Sequence, residues 1–163
     1  MHKQLRASAC AALLSIPLVL GAVASKADSD GHQIATDPDP YAQFLISQAI
    51  RVDNLVFLSG QAAIDAQGNL VGVGDFDAQA KQTFENLKKV LEASGSSMDR
   101  IVKVTIYLTD MANFPKIMEL RKAYFSKPYP ADTIVEISAL GLPELQIEID
   151  AVGLVGGKLH EAK

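Results

Sequence analysis

Cysteine, histidine and tryptophan are scarce in this sequence of 163 residues, which has one cysteine, three histidines and no tryptophan. The single cysteine, Cys10, lies in an apolar N-terminal stretch. A mature chain that begins after it has no disulfide, no thiol nucleophile and no thiolate metal ligand. The histidines, His2, His32 and His160, lie outside the region predicted to fold. A serine–histidine or cysteine–histidine nucleophile pair is therefore excluded within the fold.

The sequence also lacks the glycine-rich motifs that bind nucleotides, the GxSxG nucleophile motif and the HExxH zinc motif. We therefore expect no cofactor. A metal site would need oxygen ligands such as Glu136, Glu148 and Asp150, and we predict none. Lysine and arginine number 15 against 19 aspartates and glutamates, which gives a net charge of −4. This acidic balance argues against nucleic acid as a partner, because phosphate binding needs a basic surface.

The sequence has no uncharged apolar run long enough to predict a strong transmembrane helix. Residues 1–27 nevertheless have the pattern of a secretory signal peptide. Lys3 and Arg6 precede an apolar stretch, and small residues at 22–24 and 25–27 suit cleavage. Removal of residues 1–27 changes the net charge from −4 to −7. We expect a periplasmic or secreted protein with no membrane attachment after cleavage; an uncleaved anchor is the alternative.

The rest of the chain is predicted to be one domain at 44–156, preceded by a linker at 28–43 and followed by a tail at 157–163. An apolar stripe behind Asp75, a good N-cap residue, predicts a helix over 75–94. Pro115 in a first helical turn indicates a second helix over 113–126. Strands are predicted at 44–51, 55–58, 62–65, 101–108, 133–139 and 145–152.

The last two predicted strands are joined by a short turn that contains glycine and proline. Along the final strand, apolar residues alternate with Gln146, Glu148 and Asp150, so one face is apolar and the other carries carboxylates. The order β-β-(β)-α-β-α-β-β predicts an α+β fold with both helices on one sheet face. The other face then needs cover, and a closed symmetric oligomer supplies it most simply.

Glu148 is the candidate catalytic residue. It could orient or deprotonate a water molecule if burial brought its pKa near the working pH, and a solvated strand carboxylate is the alternative. Ser59 and Gly60 end a predicted strand, where backbone N–H groups could face a small anion or a carbonyl oxygen. A simple turn is the alternative there.

The chain resembles the RidA/YjgF family of reactive-intermediate deaminases over residues 44–155. The resemblance implies a chorismate-mutase-like fold and a homotrimer with a ligand cleft at each subunit interface. The segments that carry it are Ser47-Gln48-Ala49, Leu58-Ser59-Gly60-Gln61, residues 83–87, residues 102–108, the Phe114 helix, Tyr129-Pro130-Ala131 and residues 147–151.

Deaminases of that family hydrolyse enamine or imine acids, such as 2-iminopropanoate, to the keto acid and ammonia. The resemblance implies that Glu148 activates water and that Ser59 and Gly60 bind the substrate. In the family pattern an arginine follows Pro-Ala and pairs with the substrate carboxylate, but this chain has Asp132 there. The usual tyrosine before Ser-Gln-Ala is Ile46 here. An aspartate repels a carboxylate, so we expect inefficient deamination of imino acids and a neutral or cationic ligand between Asp132 and Glu148.

The sequence therefore predicts an exported RidA-like hydrolase that acts on a reactive enamine, an imine or a related small metabolite with altered substrate choice. The alternative is a non-catalytic trimer that binds a small amine at the subunit interface. Whether the protein is an enzyme is left open by the residues. Ribonuclease and holdase activities have family precedent; export and acidic charge weigh against the first, and no residue pattern tests the second.

Overall fold

A computed structural model describes residues 29–162 of the chain, and the predicted signal peptide at 1–27 lies outside the described residues. Within 29–162 the structure has six strands, two α-helices and three short 3-10 turns. The strands are β1 (Gly31–Ile34), β2 (Ala49–Val52), β3 (Leu55–Ala62), β4 (Ile101–Leu108), β5 (Ala131–Glu136) and β6 (Ile147–Leu154). The helices are α1 (Phe76–Ala93) and α2 (Phe114–Tyr124), and the 3-10 turns are Ala42–Phe44, Met98–Arg100 and Met111–Asn113.

The strands form one sheet in the order β1-β2-β3-β6-β4-β5. Every neighbouring pair is antiparallel except β4 and β5, which are parallel. A parallel pair needs a crossover connection, and α2 provides it. The predicted α+β class with both helices on one sheet face is confirmed, since α1 and α2 pack on the same core.

The two helices begin and end close to their predicted limits because their signals are local. The Asp75 side chain accepts hydrogen bonds from the N–H groups of Asp77 and Ala78, and the apolar stripe of α1 is buried against the sheet. Pro115 lies in the first turn of α2. Tyr124, the last residue of α2, stacks on Phe84 of α1 with ring centroids 4.7 Å apart.

In the N-terminal half, the strands differ from the prediction in three places. The segment 28–43, predicted to be a linker, contains β1, whose four residues pair with β2 at the sheet edge. The first predicted strand is shorter, because 44–48 does not belong to a strand and β2 begins at Ala49. The optional strand at 62–65 reduces to one isolated bridge between Ile64 and Leu70, while β3 extends to Ala62.

The last two strands are present, but they are not neighbours. β4 lies between β5 and β6, so the turn that connects them in sequence joins strands separated by a third. The alternation in β6 is confirmed: Ile147, Ile149 and Ala151 are buried against the helices, whereas Glu148 and Asp150 lie on the opposite face. That opposite face carries apolar side chains as well, since Ile50 and Phe57 pair across β2 and β3 and are exposed in the single chain.

Candidate functional site

Glu148 lies on the open sheet face, in register between Ala62 of β3 and Tyr107 of β4. Its position follows from the alternation of β6, in which both neighbours in sequence point into the helix-facing core. The side chain is half-buried because it lies over an irregularity in β3. Glu148 is therefore a partly dehydrated carboxylate rather than a solvated strand residue.

The irregularity is a β-bulge at Ser59–Gly60. Between the pairs Leu58–Ala151 and Gln61–Ile149 the register of β3 against β6 shifts by one residue. Gly60 faces the Glu148 carboxyl so closely that a Cβ atom there would lie 2.0 Å from Oε1 and 2.5 Å from Cδ. The absence of a side chain at Gly60 lets the Glu148 carboxyl lie directly against the backbone of β3.

Tyr41 holds the bulge from the other side, although sequence reasoning did not identify it. Its hydroxyl donates to the Gly60 carbonyl over 2.9 Å and accepts from the Ala62 N–H over 3.0 Å. The residue is buried, and burial raises the pKa of Tyr41 to about 12, so it remains a neutral donor. Tyr41 lies in the segment predicted to be a linker, where the available signal was an aromatic residue beside Pro40.

Ser59 has a structural role in addition to any contact with a ligand. Its Oγ donates to the Ser47 carbonyl over 2.7 Å, and its backbone N–H donates to the Gln48 carbonyl over 3.0 Å. These bonds tie the bulge to the chain that enters β2. The Ser59 N–H is thus already paired within the protein, and it is not free to bind an anion or a carbonyl oxygen of a ligand.

Four of the five predicted site residues, Ile46, Ser59, Gly60 and Glu148, line one cavity of about 210 Å³. Ile46 stands at the rim with about half of its surface exposed. The remaining walls are largely apolar, which suits a small ligand with few polar groups around one carboxylate. These walls are formed by Tyr41, Phe44, Ala62, Ile64, Gly141, Leu142 and Leu145.

The electrostatics of this cavity favour the protonated form of Glu148. Burial, and then the negative charge of Asp150, raise the pKa of the Glu148 carboxyl above the ordinary glutamate value. Asp150 stays on the same face and accepts a hydrogen bond from the Tyr107 hydroxyl over 2.8 Å. A carboxylate with a raised pKa is a stronger base than an exposed one, as proton abstraction from water requires.

Asp132, the fifth predicted site residue, does not line the Glu148 cavity. In the parallel register it pairs with Val104, which faces the helices, so Asp132 points toward α2 and away from the face of Glu148. There its Oδ2 lies 2.6 Å from Nη2 of Arg121. The expected convergence of Asp132 and Glu148 in one pocket is therefore not met within the chain, because the two side chains occupy opposite faces of the sheet. Burial raises the pKa of Asp132 and outweighs the opposing influence of Arg121 and Lys103.

The oxygen ligands considered for a metal are dispersed. Glu136 accepts from the Met111 N–H on the helix side of the sheet, whereas Glu148 lies on the open side. Within residues 29–162, histidine, cysteine, aspartate and glutamate side chains form no group of three suited to a metal ion. No helix in this range combines the length and apolarity that crossing a membrane requires.

Comparison with known proteins places the chain in a family. The sequence model of the family described as endoribonuclease L-PSP matches residues 35–155. A RutC family protein of Pyrococcus horikoshii is 40% identical over 115 residues, which are 71% of this chain and 89% of that protein. A 2-iminobutanoate/2-iminopropanoate deaminase of Dermatophagoides farinae is 35% identical over 118 residues, which are 72% of this chain and 90% of that protein.

The solved structures agree with this result. The crystal structure of RidA from an Antarctic Psychrobacter species matches with a TM-score of 0.69 at 38% identity. The match covers 76% of this chain and 98% of that one. The predicted chorismate-mutase-like α+β fold is confirmed, and the chain belongs to the endoribonuclease L-PSP family, which includes the RidA/YjgF deaminases.

Proposed function

We propose that the protein is an exported hydrolase that uses Glu148 to add water to the C=N bond of a small imine, either supplied as such or formed by tautomerisation of an enamine. The observation that carries this proposal is the half-buried Glu148 carboxyl, packed on Gly60 at the wall of an apolar cavity, with a pKa raised by burial and by Asp150. The deaminase of Dermatophagoides farinae, 35% identical, supports the same reaction class.

The chemistry needs one base and one water molecule. The Glu148 carboxylate takes a proton from water as the oxygen bonds to the imine carbon, and the C=N electron pair moves to nitrogen. The protonated Glu148 then returns this proton to the nitrogen, which gives a neutral carbinolamine. Glu148 next transfers the hydroxyl proton of the carbinolamine to the nitrogen, the C–N bond breaks, and ammonia leaves as the C=O bond forms. The reaction consumes water and yields a carbonyl compound and ammonia without a redox change.

The open sheet face supports a homotrimer as part of the proposal. Ile50 and Phe57 leave an apolar area uncovered in the single chain, and burial of such area drives self-association. Among residues 29–162 no basic side chain lines the Glu148 cavity, whereas Arg121 and Asp132 line a separate cavity beside α2. A second copy could bring the two cavities together at a subunit interface.

A second candidate is binding of a small ligand without turnover. It is favoured by the Ser59 N–H, which is bonded to Gln48 and is not free to stabilise charge that develops on a substrate. An RNA substrate is disfavoured, although the family description names an endoribonuclease. The net charge of −4 offers no broad basic surface for phosphates.

The two candidates are separated by measuring ammonia and carbonyl product from freshly generated imines, both with and without a carboxylate. Hydrolysis predicts turnover that falls by about 100-fold or more in Glu148→Gln, the range typical of a lost general base. The matched control is Glu144→Gln, because Glu144 is an exposed glutamate near β6 whose side chain lines neither cavity. Ligand binding without product from any imine would support the second candidate.

A further inference from the structure

The cavity beside α2 is lined by two basic side chains, whereas the described residues that line the Glu148 cavity include none. It measures about 370 Å³ and is lined by Met118, Arg121, Lys122, Phe125, Tyr129, Pro130 and Asp132. We propose that this cavity binds a small apolar carboxylic acid, with Arg121 as the anion-binding group and Asp132 as the residue that orients it. The idea that this cavity and Glu148 act on one substrate rests on the proposed function, whereas binding of an acid in the cavity can be measured without turnover.

The guanidinium of Arg121 is fixed from two sides. Arg121 lies in the last turn of α2 and Asp132 is the second residue of β5, so helix and strand hold the partners 2.6 Å apart. Their side chains are only 21% and 19% exposed, which distinguishes this pair from the surface pair of Lys116 and Asp77. The Phe114 ring lies 5.8 Å from Cζ of Arg121 and covers one face of the guanidinium. A cation held in this way loses little freedom when an anion binds.

Arg121 has more donors than its protein partners satisfy. A guanidinium carries five N–H donors, and Asp132 accepts from Nη2. Among the described residues, the one partner of Nη1 is the Met118 sulfur at 3.4 Å, which is a weak acceptor. Nε is buried and has no hydrogen-bond partner in the described part of the chain. A ligand carboxylate at Nη1 would supply the strong acceptor that this side of the guanidinium lacks.

The charges of the cavity favour an anion over an amine. Arg121 and Lys122 contribute two positive charges, and Asp132 contributes one negative charge that is already paired with Arg121. An ammonium ligand would have to displace the guanidinium from Asp132 and would also meet Lys122. The expectation from sequence that Asp132 repels an acid therefore overlooked Arg121, whose guanidinium stands in the same cavity.

The walls of the cavity indicate the chemistry of the ligand beyond its carboxylate. Met118, Phe125, Tyr129 and Pro130 are apolar or aromatic, so a short hydrocarbon chain can be buried against them. The volume of about 370 Å³ lies at the small end of ligand sites. A monocarboxylic acid with a few apolar carbons satisfies both the guanidinium and the walls.

The test compares pentanoate, pentanamide and pentylamine, which share a chain and differ in charge, by calorimetric titration of the full chain carrying Glu148→Gln. We expect binding of pentanoate alone, weakened by added salt.

In Arg121→Gln the pentanoate affinity should fall by about 10-fold to 100-fold, as loss of a charged hydrogen bond predicts. Arg121→Lys keeps the charge and should restore part of that loss. The matched control is Lys116→Gln on the same helix, which should leave the affinity close to the starting value, because Lys116 pairs with Asp77 and lines neither cavity.

Removal of Arg121 alone leaves Asp132 without its partner and can prevent folding. The double variant Arg121→Gln/Asp132→Asn replaces the ion pair by two amides of similar size, and it should fold but not bind pentanoate. Preference for pentylamine, undiminished pentanoate binding in the double variant, or no binding of any probe would overturn the assignment. Failure of imine turnover with intact pentanoate binding would count against the proposed hydrolysis alone, and ammonia release without pentanoate binding would count against the acid site alone.

Discussion

Gly60 and Glu148 approach each other so closely that the carboxyl of Glu148 occupies the space in which a side chain at Gly60 would begin. A Cβ atom at Gly60 would lie 2.0 Å from Oε1, 2.5 Å from Cδ and 2.8 Å from Cγ of Glu148. The bulge in β3 and the alternation of β6 together produce this contact. The position of the candidate base is therefore set by the backbone of a neighbouring strand.

Gly60→Ala should displace the Glu148 carboxylate and reduce imine turnover by about 100-fold, the cost of misplacing a reacting group by about 1 Å. The melting temperature should change little, because the clash is with the end of a flexible side chain. The matched control is Gly141→Ala in the same cavity, since a Cβ at Gly141 has no atom within 4 Å. Equal turnover in the two variants, measured as ammonia release, would show that the Gly60 contact is dispensable.

Tyr41→Phe should lower the free energy of unfolding by about 1–3 kcal/mol, because it leaves the Gly60 carbonyl and the Ala62 N–H without their partner in a buried setting. Chemical denaturation of both proteins measures the difference. Tyr129→Phe is the control, because Tyr129 is 61% exposed. A Tyr41→Phe protein as stable as the control would mean that water replaces the hydroxyl without loss.

Asp150→Asn should shift the acidic limb of the pH–rate profile to lower pH. A general base works when deprotonated, so the limb follows the pKa of Glu148, which burial and the Asp150 charge raise. Removal of that charge lowers the pKa and leaves the contribution of burial. Tyr107→Phe keeps the Asp150 charge and should leave the limb near its original pH. If the acidic limb of the Asp150→Asn profile stayed at its original pH, the limb would report the ionisation of a group other than Glu148.

The stability of the folded protein should also depend on Glu148 ionisation. Because the pKa of Glu148 is higher in the folded chain than in the unfolded chain, the protonated form favours folding. That contribution is present at low pH and is lost as pH rises from the ordinary glutamate range through the raised pKa. Glu148→Gln should therefore gain stability relative to the parent protein as pH rises through this window, whereas Glu144→Gln should follow the parent curve. Denaturation curves at several pH values measure both.

Expression of the full sequence in a bacterium with a secretory pathway should yield a periplasmic or secreted protein that lacks residues 1–27. Intact mass and N-terminal sequencing of the purified protein give the cleavage point. Replacing Lys3 and Arg6 by glutamine removes the positive charges before the apolar stretch and should slow export. A cytoplasmic protein that retains residues 1–27 would contradict the proposed export.

Elements whose signals are local could be predicted from the sequence alone. The cap at Asp75 and the stripe of Phe84 and Leu87 predicted α1, because both signals depend on residues within a few turns of one helix. Alternation along 145–152 placed Glu148 opposite the core, because side-chain direction in a strand depends only on residues next to one another in the chain. The order and spacing of the motifs shared with relatives are properties of the sequence, so the family could be predicted from it.

Contacts between segments that are distant in sequence could be identified only in the folded chain. The insertion of β4 between β5 and β6, the bond from Tyr41 to Gly60 and the pairing of Arg121 with Asp132 join residues that no local pattern relates. Asp132 considered alone predicted repulsion of an acid, whereas Asp132 beside Arg121 belongs to a cavity with a net positive charge. The physical reason is that charge and burial at a site are sums over neighbours in space, and the fold chooses those neighbours through long-range packing.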